Sequence, residues 1–140
     1  MNARVNPDRA TWLVILAAVL ISLAVVAGAA EGDSPRIDPR LGAELSEMGN
    51  VLVLDVRSGE EVEETGKIDN AMNIEYTKTD ALIEAIGEDN GRPVVLYCAT
   101  GRRSGLAIEA LGEAGYTGLV NAGGYEDLRE ALEEEPEEDG

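Results

Sequence analysis

Two runs of this chain, Val51-Leu52-Val53-Leu54 and Val94-Val95-Leu96-Tyr97, are apolar at every position rather than at every second one. A strand with one wet face alternates apolar and polar side chains. A strand without alternation is covered on both faces, which is the condition of a parallel sheet with helices packed on each side. The segments around the two runs read as helices and shorter strands. Asp38-Pro39 supplies an N-cap and a first helical residue for a helix to about Met48. Ser58 caps a short helix through Glu64, broken by Gly66, with Glu60, Glu61 and Glu63 where the helix dipole favours acid. Thr79 or Asp80 caps a helix over Ala81–Ile86, ended by Gly87. Leu106, Ile108, Ala110, Leu111 and Ala114 space a further helix that Gly115 stops, and Gly123-Gly124 leads into a last one through Leu132. Ile37 reads as the end of a first strand, and Ala71–Ile74 and Leu119–Val120 as short ones. This alternation predicts one α/β domain over residues 37–132, with a largely parallel central sheet flanked by helices. Ligands of such sheets gather beyond the carboxyl ends of the strands.

The expected domain is flanked by two biased segments. Residues 1–11 are polar and carry Arg4 and Arg9, and Trp12–Ala30 is apolar apart from Ser22 and the small Gly28. Residues 1–30 therefore read as an export signal with an Ala27-Gly28-Ala29 cleavage pattern, or as an uncleaved N-terminal membrane anchor. Arginine before the block and acid after it orient the domain outside the cytoplasm in either case, in a bacterial periplasm or at the cell surface. Residues 31–36 read as a linker, and residues 133–140 as an acidic disordered tail.

Composition narrows the chemistry. The net charge is −17, and only two lysines stand against nineteen glutamates. Such a surface repels nucleic-acid phosphates and anionic lipid, so no nucleic-acid partner is expected, and the membrane is met only through the N-terminal segment. Adaptation to high salt and a merely acidic surface are both consistent with that charge. There is no histidine, which removes Ser-His-Asp and Cys-His mechanisms and histidine metal sites. One cysteine allows neither a cysteine zinc cluster nor an internal disulfide. No metal and no organic cofactor are expected, and a domain of this size is expected to act as a monomer.

The single cysteine, Cys98, closes the second apolar run and opens the loop Ala99-Thr100-Gly101-Arg102-Arg103-Ser104-Gly105, after which a helix pattern begins. The unpaired N–H groups and the positive end of that helix are expected to face the sulfur, and consecutive loop N–H groups form a nest for an anion. A free thiol titrates near ~8.5, and such surroundings lower that value. Cys98 is therefore read as a nucleophile ionised at neutral pH, activated by amides and arginine because no imidazole is available. A buried core cysteine is the alternative.

The loop, together with Asp55-Val56-Arg57, Gly66-Lys67-Ile68, Ala71-Met72-Asn73-Ile74, Gly115-Tyr116 and Asn121-Ala122-Gly123-Gly124-Tyr125 in that order, resembles the rhodanese (thiosulfate sulfurtransferase) family, most of all its exported single-domain members. The resemblance runs from about Ile37 to about Leu132. Lys67 stands where members often carry histidine and Leu128 where many carry tryptophan. The resemblance implies a rhodanese-like fold and transfer of a sulfane sulfur. The Cys98 thiolate attacks the outer sulfur of thiosulfate or a similar small-molecule donor, sulfite leaves, and the Cys98 persulfide is unloaded by cyanide or a thiol. The loop residues Ala99, Thr100, Gly101, Arg102, Arg103 and Ser104 would then bind the donor. Arg102 and Arg103 would meet the sulfonate; otherwise Arg102 faces solvent, and Arg103 forms a loop-fixing ion pair, with Asp55 as one partner. Thr100 donates a hydroxyl to the sulfur or oxyanion, or only shapes the turn. Asp55 and Arg57 are supporting residues that pair with each other or brace the loop. Asn121, Gly123 and Gly124 form a loop beside the site.

Two other readings compete. A persulfide carrier, or a domain that binds without turnover, uses the same residues. A Cys-dependent phosphatase shares the fold, but its cradle holds one residue more between cysteine and arginine than the four between Cys98 and Arg103.

Overall fold

A computed structural model describes residues 36–134 of the 140-residue chain. The leader (1–30), all of the linker before Arg36 and the tail beyond Glu134 lie outside the described residues. The elements are α1 (Pro39–Glu47), β1 (Leu52–Asp55), α2 (Gly59–Thr65), β2 (Ala71–Asn73), α3 (Thr79–Ile86), β3 (Val94–Cys98), α4 (Arg102–Glu113), β4 (Leu119–Gly124) and α5 (Tyr125–Glu133). Among the described residues no helix is long and apolar enough to cross a membrane.

The four strands form one parallel sheet in the order β2-β1-β3-β4. The two runs without alternation are its central strands, paired in register from Leu52↔Val94 to Asp55↔Tyr97. Their side chains divide between two cores. Leu54, Leu96 and Cys98 join Leu82 and Ile86 of α3 and Ala107, Ile108 and Leu111 of α4. Val53, Val95 and Tyr97 join Ala43 of α1, Ala122 and Leu128 of α5 on the other face. A parallel sheet covered on both faces is what continuous apolar strands require. Leu128 is fully buried in the second core, so leucine fills that position as an apolar plug.

The local capping chemistry is visible at several helix starts. Asp38 accepts a hydrogen bond from the Leu41 N–H, with Pro39 at the first helical position. Ser58 and Glu61 form a reciprocal capping box at the start of α2. Three boundaries differ from those expected. Helix α3 opens at Thr79 with Lys78 as its cap residue and no side-chain bond, so neither Thr79 nor Asp80 caps it. Ile37 makes one isolated parallel bridge, to Asn121, rather than a strand. Strand β4 runs on to Gly124 because a register irregularity between Leu96 and Cys98 lets Gly124 pair opposite Cys98. That irregularity and the glycines beside it place the end of β4 against the loop that follows β3.

Candidate active site

Cys98 is the last residue of β3, and α4 begins four residues later at Arg102. Only Ala99, Thr100 and Gly101 separate strand and helix, so the chain must reverse within that turn. Gly101 makes this possible with φ +95°, a left-handed conformation that disfavours any side chain. A Cβ there would also come within 2.7 Å of the Ile37 side chain and 3.1 Å of Gly123 Cα. From the other side, the backbone at Gly124 lies so close to Ala99 that a Cβ would sit 2.6 Å from the Ala99 carbonyl oxygen. The loop is thus clamped backbone to backbone.

The turn brings N–H groups onto the sulfur. The Gly101 N–H donates to Cys98 Sγ at 2.9 Å, and the Ser104 hydroxyl lies 3.6 Å from it. Burial pushes the thiol pKa up, since Cys98 is only 1% exposed. The Ser104 N–H and hydroxyl and the N–H groups of Thr100 and Gly101 stabilise the thiolate more strongly, and the net displacement is downward. Helix α4, twelve residues long, adds the positive end of its dipole. The sulfur therefore lies within a core, as one reading of Cys98 has it, and its pKa is displaced downward by the donors around it.

Ser104 and Asn121 hold this arrangement from behind. Ser104 Oγ lies 2.8 Å from Asn121 Oδ1 and 3.1 Å from the Gly101 carbonyl, so these oxygens and Cys98 Sγ are alternative acceptors for its one hydroxyl proton. Asn121 Nδ2 donates to that same carbonyl at 2.9 Å, and Asn121 Oδ1 also accepts the Gly123 N–H. Ser104 and Asn121 are both buried. The sequence places Asn121 in a loop beside the site; in the structure it is a strand residue of β4 whose side chain bonds the cysteine loop. Gly123 and Gly124 likewise belong to β4 and the clamp.

Arg103, with its side chain 24% exposed, pairs with Glu61 rather than with Asp55. Its Nη1 and Nη2 donate to Oε2 and Oε1 of Glu61, each at 2.7 Å. This pair holds the Glu61 carboxyl down at about 2, with the Ser58 N–H and hydroxyl adding to the effect against a smaller opposing contribution from burial. It raises the Arg103 pKa in turn. Glu61 was visible in the sequence only as dipole-favoured acid. The Ser58-x-x-Glu61 spacing is the signal that fixes its carboxylate at the start of α2.

Asp55 and Arg57 pair with each other, as one of the two expectations had it. Arg57 Nη2 meets Asp55 Oδ2 at 2.6 Å and Nε meets both carboxylate oxygens, and both side chains are almost wholly buried. Burial acts to lower the Arg57 pKa, and the Asp55 carboxylate more than reverses that. The guanidinium also donates to Thr65 Oγ1 and the Gly66 carbonyl and stacks 4.5 Å from the Tyr125 ring. Asp55 is registered with Tyr97, on the face of the sheet opposite Cys98. The pair therefore braces the loop after α2 and the Tyr97 neighbour of the cysteine, without touching the thiol loop. Burial raises the Tyr97 pKa strongly, and its hydroxyl accepts the Ile68 N–H.

Ala99, Thr100 and Arg102 are exposed on the outer side of the loop. Thr100, Gly101 and Arg102 border a groove of about 360 Å³ completed by Ile37, Leu106 and Glu109. Among the described residues no three His, Cys, Asp or Glu side chains are grouped to hold a metal ion.

Comparison with known proteins agrees with this geometry. A family model described as the rhodanese-like domain matches residues 39–131. Thiosulfate sulfurtransferase PspE of Escherichia coli (strain K12) is 37% identical over 75 residues, covering 54% of this chain and 71% of that protein. A mitochondrial protein of Schizosaccharomyces pombe named for the same activity is 33% identical over 85 residues, and the chain spans 58% of its length. The structure of the human single-domain sulfurtransferase TSTD1 superposes with a TM-score of 0.55 at 30% identity, covering 75% of this chain and 100% of that one. The polysulfide-sulfur transferase homodimer of Wolinella succinogenes gives 0.57 at 28%, covering 79% and 83%. A thiolate cradle at the carboxyl end of a parallel sheet, and a family match that takes in both the cradle and the strands beneath it, lead to one assignment: the chain belongs to the rhodanese-like sulfurtransferase family.

Proposed function

We propose that the domain is a thiosulfate sulfurtransferase working through a Cys98 persulfide. The observation that carries this reading is the sulfur itself, buried at the end of β3, receiving the Gly101 N–H at 2.9 Å with its pKa displaced downward. The thiolate attacks the outer sulfur of thiosulfate. The new S–S bond forms as the old one breaks, and sulfite leaves with the electron pair, so that the persulfide carries the charge the thiolate had. Cyanide or a thiol then takes the outer sulfur and returns Cys98 to the thiolate, giving ping-pong kinetics. The same N–H groups that stabilise the thiolate serve the persulfide. The positive end of α4 and Arg102 offset the donor's charge, while Arg103, close enough to Cys98 for their charges to interact, has its terminal nitrogens on Glu61.

Substitution Cys98→Ser in a thiosulfate–cyanide assay tests the mechanism, and equal rates in variant and wild type overturn it. A protein that forms the persulfide stoichiometrically but turns over slowly with every acceptor is a carrier, not an enzyme. The activity for which PspE is named and the cysteine loop support the enzyme. We further propose that the domain acts as a monomer outside the cytoplasm. Intact mass from the producing cell distinguishes cleavage after Ala29 or Ala30 from retention of residues 12–30.

A further inference from the structure

We infer that Glu61 is the specificity-determining residue of the Cys98 site: by occupying the terminal nitrogens of Arg103 it turns the site away from dianionic sulfane donors and toward donors of lower charge, such as an alkyl hydropersulfide. This rests on the sulfurtransfer reading: thiosulfate remains a donor, and Glu61 sets how strongly the site favours donors of lower charge over it. The guanidinium at the rim of a thiolate cradle is the natural anchor for a sulfonate, because its planar fork matches two oxygens at once. Here that fork is already matched to a carboxylate. Glu61 Oε1 and Oε2 each accept one terminal nitrogen at 2.7 Å, and Oε2 also accepts the Ser58 N–H at 3.0 Å and the Ser58 hydroxyl at 2.9 Å. Four hydrogen bonds from two different elements fix the carboxylate.

The charge consequence is direct. Arg103 and Glu61 together are net neutral, so thiosulfate must either break a bidentate pair or approach beside it without that attraction. It does so on a protein already carrying −17. With a carboxyl pKa near 2, Glu61 is anionic throughout the working range, so the effect does not fade at neutral pH. A hydropersulfide avoids the penalty. The Cys98 thiolate attacks its outer sulfur, the S–S bond of the donor breaks, and the departing thiolate takes the proton that the outer sulfur carried. The products are the Cys98 persulfide anion and a neutral thiol, with the single charge conserved.

The variant Glu61→Gln tests this. Glutamine keeps the capping box of α2, so the helix start survives while the charge goes. Single-turnover sulfuration of Cys98 is followed by mass, with sodium thiosulfate and with the hydropersulfide of an uncharged alkyl thiol. The ratio of thiosulfate rate to hydropersulfide rate is expected to rise about five- to tenfold in the variant, the scale of one partly exposed charge acting on a dianion. In a second readout that needs no turnover, sodium sulfate protects Cys98 from iodoacetamide at lower concentration in the variant than in the wild type. An unchanged ratio with unchanged sulfate protection overturns the charge filter alone. Wild-type Cys98 left unmodified by both donors overturns the sulfurtransfer reading, and the filter with it.

Discussion

Arg103 and Glu61, 42 positions apart in the chain, meet through two hydrogen bonds of 2.7 Å, one to each carboxylate oxygen. The contact joins the first turn of the helix behind the cysteine to the first turn of α2. Glu61 therefore has two duties, closing the capping box of its own helix and holding the arginine of another.

This pair gives a pH dependence with a definite sign. Contact with Arg103 lowers the folded-state pKa of Glu61 from the usual 4.5 to about 2. A carboxyl lowered on folding contributes stability that is present above its unfolded value and lost as pH falls through its folded value. The wild type is thus expected to lose a contribution between about pH 4.5 and pH 2 that Glu61→Gln lacks throughout. Urea midpoints of the two proteins should differ at neutral pH and converge across that window. Parallel curves would show that the pair adds nothing to folding.

Asp55 and Arg57 predict a larger effect on stability and a small one on the thiol. Removing one partner of a buried ion pair leaves the other charge without compensation, which costs about 3–5 kcal/mol. Asp55→Ala should lose about that much in urea unfolding. Because the pair lies on the opposite face of the sheet from Cys98, the folded variant should alkylate at a rate within about threefold of wild type, a change of under ~1 kcal/mol. A stability loss below about 1 kcal/mol, the range of exposed pairs, contradicts the buried pairing.

Ser104→Ala removes the hydroxyl 3.6 Å from the sulfur while sparing the backbone N–H groups. The pH midpoint of iodoacetamide alkylation should move upward, and sulfur transfer at neutral pH should fall about tenfold, the size of one hydrogen bond to a charged group. Alkylation midpoints that coincide in the two proteins would assign the thiolate to the amides alone.

Glycine tolerance should differ sharply within one helix and the turn before it. Gly101→Ala places a side chain at φ +95°, which costs about 1–2 kcal/mol before its overlap with Ile37 and Gly123 is counted. Gly112→Ala, in α4 with nothing within 4 Å of a new Cβ, should stabilise by about 0.5–1 kcal/mol. Thermal midpoints of the two variants should move in opposite directions.

What the sequence disclosed follows the range of the interactions involved. The central strands, the Asp38 and Ser58 caps and the Cys98 turn are set by residues within a few positions of one another, and they were legible. The Arg103–Glu61 pair and the Asn121 bridge link segments 42 and 17 or more positions apart, and no local pattern announces which acid an arginine will choose. The sequence marks β4 only over Leu119–Val120 because Asn121-Ala122-Gly123-Gly124 has turn composition. Its pairing with β3 across an irregular register overrides that propensity. Lys78 begins α3 without a side-chain cap because packing of Leu82 and Ile86 into the core holds the helix.

The clamp around the turn after β3 separates form from reactivity. Gly101 and Ser104 are buried and held by Gly123 and Asn121, and Gly124 lies against the Ala99 carbonyl, whereas Ala99, Thr100 and Arg102 are exposed. The outline of the turn is thus held by close backbone approaches and the Asn121 amide, while three positions of the same turn stay open to solvent. Substitution at 99, 100 or 102 can change the outer surface of the turn without disturbing the geometry that displaces the Cys98 pKa downward, so this turn behaves as a fixed socket with an exchangeable rim.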